Sequence, residues 1–363
     1  MLLIDLLGFT LILPLLPSIL EYYGKTDHDG IYQSLQHSVA WFADMIGVPS
    51  VRKYNSVLFG GLIGSVFSVL QFLVSPVTGA ASDHFGRRPL MMLTTAGLIA
   101  SYALWALSQN FGIFLLSRIV GGISKGNVSL STAIIADLPS PRARSKGMAM
   151  IGVAFSLGFT IGPMIGAYFA SSTGKDGSFF LQTAQLALVF AVSDLVFIFL
   201  FLPETLPRQK RVTSISSTFQ NAIDLLSPVA LLKFSAVQQR TDSPSPEGMR
   251  ALKAIALLIP AFLIIGWANT VLVLYIGLLF YSFAAAIVIP CLSALVSGYG
   301  AANQKGTVMG ILRSLGALAR ALGPVVAATV YWLAGAEVCF TVTSFTFLIP
   351  LALLTIPKVK KSE

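Results

Sequence analysis

Long apolar runs alternate with short polar segments along the whole chain. Residues 2–20, 56–76, 89–107, 111–138, 147–170 and 181–202 form six such runs, and 254–267, 271–296, 308–333 and 338–356 form four more. A helix of about 20 residues crosses the hydrocarbon core of a bilayer, so the pattern predicts an all-α polytopic membrane protein with ten spans. Pro14 and Pro17 bend the first span, a break that membrane helices tolerate where freed backbone groups line a cavity or meet neighbouring helices. The mixed-charge segment 21–55 follows, and within it 31–46 reads as a short surface helix. Its Asp27-His28-Asp29-Gly30 lacks the later acidic ligands of a calcium loop and reads as an ordinary turn. Residues 206–250 are polar and rich in Ser, Pro and charge, with 219–237 as an amphipathic surface helix. They separate an N-terminal unit, 1–205, from a C-terminal one, 251–357.

Only 11% of the 363 residues are charged, against about 25% in a soluble chain, while 55% are hydrophobic. The net charge of +9 has a topological cause. With both termini in the cytoplasm, sixteen Lys and Arg fall in inside segments and four in outside ones, the usual positive-inside bias. That distribution argues against nucleic-acid binding. The chain is expected in the plasma membrane or an intracellular membrane. Cys291 and Cys339 lie in apolar runs, so no disulfide framework or metal cluster is implied. The first 20 residues lack a basic start and a small-residue cleavage pattern, so the first span begins almost at Met1 without a signal peptide.

Between the second and third spans lies Gly79-Ala80-Ala81-Ser82-Asp83-His84-Phe85-Gly86-Arg87-Arg88. Gly79 permits close helix approach, Gly86 permits a sharp turn, and Asp83 is placed to cap a helix or pair with Arg87 or Arg88. A solvated hairpin loop is the plainer reading. Two stretches about 160 residues apart also resemble each other: Thr132 onward with Lys146-Gly147 and Gly162-Pro163, and Cys291 onward with Lys305-Gly306 and Gly323-Pro324. Matching the Gly-Pro segments makes the last four spans the equivalents of spans three to six. The second half then lacks its first two spans, near residues 240–250.

Gly79 to Arg88 resembles the loop signature of the major facilitator superfamily, Gly-x-x-x-Asp-Arg/Lys-x-Gly-Arg-Arg/Lys, with His84 in place of the usual basic residue. Arg118-Ile-Val-Gly121-Gly122 and Gly158-Phe-Thr-Ile-Gly162-Pro163-Met-Ile-Gly166 resemble the span-four and span-five signatures of its drug–proton antiporters. The first span, with Asp5, Gly8, Pro14 and Pro17, is similar to that of tetracycline exporters. The resemblance implies two six-helix halves working by alternating access, a cytoplasmic gate at Gly79, Asp83, Gly86, Arg87 and Arg88, and a role for Arg118 in coupling. Asp83 is expected to meet basic loops or the start of the span near Gly306, and Asp137 to join the same latch. The incomplete second half leaves the gate one-sided.

Charges inside the bilayer are costly and usually face a cavity. The candidates are Asp5, Arg118, Lys125, Asp194, Arg313 and Arg320. Arg118 and Lys125 lie seven apart, on one helical face, as do Arg313 and Arg320. Four buried cations against two anions predict an electropositive path for a small organic anion; the alternative is a set of struts paired with Asp5, Asp194 or helix ends. Asp5 and Asp194 are the carboxylates available as proton carriers, although Asp5 sits near enough to its span's end to be solvated. Gly158, Gly162, Pro163 and Gly166, with Gly323 and Pro324 in the second half, are read as helix-packing positions. No Walker glycine loop suggests ATP, no nucleophile–base pair suggests an enzyme, and no cofactor is implied. The sequence therefore predicts a secondary transporter, an efflux antiporter for organic anions. A carrier of neutral or cationic drugs is the alternative, or a transport-incompetent variant acting as a membrane interaction partner.

Overall fold

The computed structural model describes residues 1–26, 30–48, 52–172, 178–212, 246–298, 301 and 303–355, and every regular element among them is helical. The amphipathic stretch 219–237 and the Asp27-His28-Asp29 turn lie outside the described residues.

The first span is two helices, α1 (Leu2–Thr10) and α2 (Leu16–Thr26). Pro14 accounts for the break, because its ring would clash with the carbonyl of Thr10, four residues back, and it has no N–H to continue the ladder. The intervening chain is held by tighter turns instead, Leu13 N–H to Thr10 (3.2 Å) and Leu15 N–H to Ile12 (3.0 Å). Pro17 lies in the first turn of α2, where the missing donor costs nothing. The surface helix α3 covers Ile31–Met45.

Helix α4 (Arg52–Phe85) has 34 residues and spans about 51 Å, well beyond the hydrocarbon core. The turn expected over Gly79 to Arg88 is much shorter than its sequence suggests. α4 stays helical to Phe85 and α5 (Arg87–Ala106) begins two residues later. Gly86 alone makes the reversal, at φ +105°, a region that a side chain disfavours. The fourth span is broken as well, into α6 (Phe111–Ser124) and α7 (Asn127–Ala136). At Gly126 a Cβ would lie 2.7 Å from Thr78 Cγ2 and 2.9 Å from Thr94 Cγ2, so only glycine allows α4 and α5 this near. Asn127 then fixes the restart: it accepts from Thr94 (2.6 Å) and donates to Thr95 (3.3 Å).

α8 (Pro141–Ser172) and α9 (Ser178–Phe201) complete the first unit. α10 (Pro246–Gly266) takes in the last five residues of the stretch read as linker, and is followed by α11 (Val271–Ser297), α12 (Lys305–Thr346) and α13 (Leu348–Thr355). Eight helical segments among the described residues are long and apolar enough to span a membrane, and the last of them, Lys305–Leu354, has 50 residues. Gly335, at φ +86°, kinks it into two pieces.

α1 docks on α8 through the glycine stripe. A Cβ at Gly158 would lie 2.7 Å from Leu6 Cβ, one at Gly162 would strike Thr10 Oγ1, and one at Gly166 would strike the Leu11 carbonyl. Thr10 closes the contact by donating to the Gly158 carbonyl (2.9 Å). The matching expectation fails for Gly323, around which no heavy atom lies within 4 Å of an added Cβ. Pro324 lies inside the first piece of α12, before the kink at Gly335. One apolar core gathers α2, α3, α4, α5, α6 and α9 around Tyr23, Trp105, Phe111 and Phe114; a second joins α4, α7 and α8 to α12 around Met148, Val308 and Ile311.

Candidate functional site

The seam between the two units is α4 against α12. It is tightest where Gly79 meets Gly306 and Gly310. A Cβ on Gly79 would strike the Gly306 carbonyl, and one on Gly310 would lie 2.6 Å from the Ser75 carbonyl, so backbone touches backbone. Farther along, Ser314 donates to the Phe72 carbonyl (2.6 Å) and Ser65 to that of Ala321 (3.0 Å).

Asp83 sits at this contact, 1% exposed. Gly306 and Thr307 are the second and third residues of α12, whose first four amides have no acceptor within the helix. Asp83 Oδ1 accepts from the Gly306 amide (2.8 Å), and Oδ2 from the Thr307 amide and hydroxyl (2.7 Å each). A carboxylate from one unit thus caps a helix of the other, where the helix dipole favours negative charge. Arg87 is wholly buried beneath it. Its Nη1 pairs with Asp83 Oδ1 at 2.8 Å, and its Nε and Nη2 meet the Asp137 carboxylate at 2.9 and 3.2 Å. Ser82 Oγ also accepts from Nη1. One guanidinium therefore ties α4, α5 and the end of α7 into a single polar knot.

Two parts of this knot differ from the expectation drawn from the sequence. Arg88 does not join it: its side chain donates to the Phe199 carbonyl (2.5 Å) and lies 5.8 Å over the Phe199 ring. Glu204, which sequence reasoning missed, caps α5 instead, taking the backbone N–H groups of Arg87 (3.0 Å) and Arg88 (3.3 Å) and pairing with Arg211 at 3.4 Å. Its sequence signal is slight, a single acid in Pro203-Glu204-Thr205 where the apolar run ends. Val212 completes the wrap by donating to the Asp83 carbonyl (3.1 Å), and its own carbonyl meets His84 Nδ1 (2.6 Å).

The second group of charges lies inside the bundle. Asp5 is 5% exposed, so the solvated reading is wrong; both its oxygens accept from Lys125 Nζ, at 2.8 and 2.9 Å. The ammonium also stands 4.6 Å over the Phe9 ring. Lys125 occupies the break between α6 and α7, so the continuous face it was expected to share with Arg118 does not exist. Arg118 is buried, stacked over Trp105 (5.1 Å) and Phe114 (5.6 Å), with its Nε donating to Ser117 (3.2 Å). Asp194 is buried, and its Oδ1 lies 3.6 Å from the Met1 amino group. Tyr102 is within electrostatic reach of Asp5, Asp194 and Arg118.

The α12 arginines are not buried as expected. Arg313 is half-buried, 5.2 Å over Phe155, while Arg320 is exposed and donates Nη2 to Gln71 Oε1 (2.8 Å). Helical periodicity places both on one face, but it cannot distinguish a packed face from one that opens on a cavity. Among the described residues, none of Arg118, Arg313 and Arg320 has a carboxylate within ion-pair distance.

Two units meeting on a capped seam, with charges held inside membrane-crossing helices, define a polytopic membrane transporter. The chain belongs to the Major Facilitator Superfamily, whose model matches residues 1–239. It is 52% identical to the human major facilitator superfamily domain-containing protein 10, over 97% of this chain and 90% of that one. The crystal structure of the human organic anion transporter MFSD10 (TETRAN) superposes with a TM-score of 0.90 at 52% identity, covering 98% of this chain and 97% of that chain. The class D tetracycline resistance protein of Salmonella ordonez is 29% identical over 64% of this chain and 51% of its own length.

Proposed function

We propose that the chain exports small organic anions by alternating access, with protons as the exchanged ion and both termini in the cytoplasm. The observation that carries the anion is the set of three membrane-embedded arginines without carboxylate partners. A cation in the bilayer interior that is neither paired nor packed away needs water or a ligand beside it, and Arg320, exposed on α12, is in that position. The 52% identical human MFSD10 is an organic anion transporter, which agrees with this charge. The Asp83–Gly306 seam acts as the cytoplasmic gate, shut in this arrangement. Asp5 and Asp194 are the carboxylates available to carry a proton.

In this reading residues 1–205 form a six-span half, and the helices from Pro246 onward form a four-span half. The alignment with the human relative runs over 422 positions although this chain has 363 residues, so at least 59 positions of the relative face gaps (422 less 363). Two spans with their loops need about that many residues. The same gap favours a second reading, a transport-incompetent interaction partner. The tetracycline resistance relatives favour a third, a carrier of neutral or cationic drugs.

Uptake of radiolabelled p-aminohippurate, an organic anion, into proteoliposomes separates the three. Arg313→Ala and Arg320→Ala are each expected to raise its KM by about tenfold or more, the loss of one charge-assisted contact. Tetraethylammonium should not be taken up. Unchanged anion KM in both variants removes the anion site, and tetraethylammonium uptake instead of anion uptake favours the drug-carrier reading.

A further inference from the structure

We infer that Gln71 is the positioning residue that holds Arg320 for the transported anion and ties it to the helix break at Lys125. This rests on the reading of Arg320 as an anion contact. Gln71 lies between Ser68 and Ser75 in an otherwise apolar stretch of α4 and is 5% exposed. Its Nε2 donates to the Lys125 carbonyl (3.4 Å), and its Oε1 accepts from Arg320 Nη2 (2.8 Å).

Chemistry fixes which end of the amide faces which partner. A guanidinium only donates and a backbone carbonyl only accepts, so the amide oxygen must face Arg320 and the amide nitrogen must face Lys125. No side chain with two like ends can bridge that pair. The Lys125 carbonyl is available because the helical ladder is interrupted there: α6 ends at Ser124 and α7 starts at Asn127. The ammonium of the same residue holds Asp5 through both oxygens. One glutamine on α4 therefore joins the Asp5–Lys125 pair of the first unit to a cation of the second.

Arg320 makes no other hydrogen bond to the protein among the described residues. Its side chain lies back along α12, with Nη1 at 3.5 Å from where a Cβ on Gly316 would sit. Four of its five N–H groups are left for a ligand while Gln71 fixes the plane of the guanidinium, which is how a supporting hydrogen bond preorganises a binding group. Arg313, on the same face of α12, is within electrostatic reach of Arg320 and adds to the same positive field.

The test is a double-mutant cycle on p-aminohippurate uptake by the reconstituted full chain. Gln71→Met, close in size and without the amide, is expected to raise KM about tenfold while kcat stays within about twofold. In the Arg320→Ala background the same change should do nothing further, because a group that acts through Arg320 has no target left. Gln71→Glu, which sets a carboxylate on Arg320 and opposes the Lys125 carbonyl, should raise KM at least as much. A structural role alone would lower the thermal midpoint and reconstituted yield in every background, and would multiply with Arg320→Ala. Multiplying effects, or an unchanged KM in Gln71→Met and Gln71→Glu, overturn the inference. If Arg320→Ala itself leaves KM unchanged, the anion-contact reading fails and the inference goes with it.

Discussion

Asp83→Ala is expected to open the α4–α12 seam. The substitution leaves the Gly306 and Thr307 amides without their acceptor and strips one of the two carboxylates from the buried Arg87. Breaking a buried, hydrogen-bonded charge pair costs about 3–5 kcal/mol. Asp137 still faces Arg87, so the low end of that range applies, and about 3 kcal/mol changes a two-state population by roughly two orders of magnitude. The Asp83–Arg87 pair lies within the first unit and is lost in either arrangement. The loss of the hydrogen bonds from the Gly306 and Thr307 amides, about 1.5–3 kcal/mol for a bond to a charged group, falls only on the arrangement in which α4 and α12 touch. A cysteine placed at Ser75, in a chain whose Cys291 and Cys339 have been replaced by alanine, reports the change. Ser75 is 2% exposed and its carbonyl lies against Gly310. Its modification by a membrane-impermeant thiol reagent, added on the side of the Asp83 turn, should quicken more than about tenfold in Asp83→Ala. An unchanged rate would mean that the cap does not hold the seam.

The second large effect belongs to the Asp5–Lys125 pair. Asp5→Asn leaves an ammonium buried without its carboxylate, and Lys125→Met leaves the carboxylate without its ammonium. Each should cost about 3–5 kcal/mol, whereas replacing both partners with groups that need no counter-charge is often close to neutral. Thermal unfolding in detergent is therefore expected to fall by several degrees in either single variant and to recover in Asp5→Asn/Lys125→Met. Transport need not recover with it, since the double variant has lost the carboxylate that faces Tyr102 and Asp194. A double variant less stable than either single one contradicts this account of the pair.

Much of the architecture was legible because hydropathy along a membrane helix is a local property. The spans read from apolar runs coincide with α5, α6 with α7, α9 and α11 to within about three residues, whereas α4 runs nine residues past its apolar run and α8 begins six residues before its own; Pro14 announced the break after Thr10. The cap was half legible: Asp83 and the start of the helix at Gly306 were both visible, yet their contact is a meeting of residues 223 apart. Other features left weaker traces. Gly126 in an otherwise helical pattern is compatible with a continuous span, so the break that frees the Lys125 carbonyl was missed. Gln71 and Glu204 are polar residues at the middle and the edge of apolar runs, and only their partners give them a role. Arg320 shows the limit of periodicity in a bilayer, where a face that opens on a cavity and one that packs carry the same spacing.

The central claim is that this chain transports an organic anion. The most direct measurement is counterflow in proteoliposomes that contain only this chain. Vesicles preloaded with unlabelled p-aminohippurate should transiently accumulate the radiolabelled compound from outside, and Arg320→Ala should lower the initial rate of that accumulation about tenfold at concentrations below KM. Normal membrane insertion with no overshoot for p-aminohippurate would contradict the account and favour an interaction partner that does not transport.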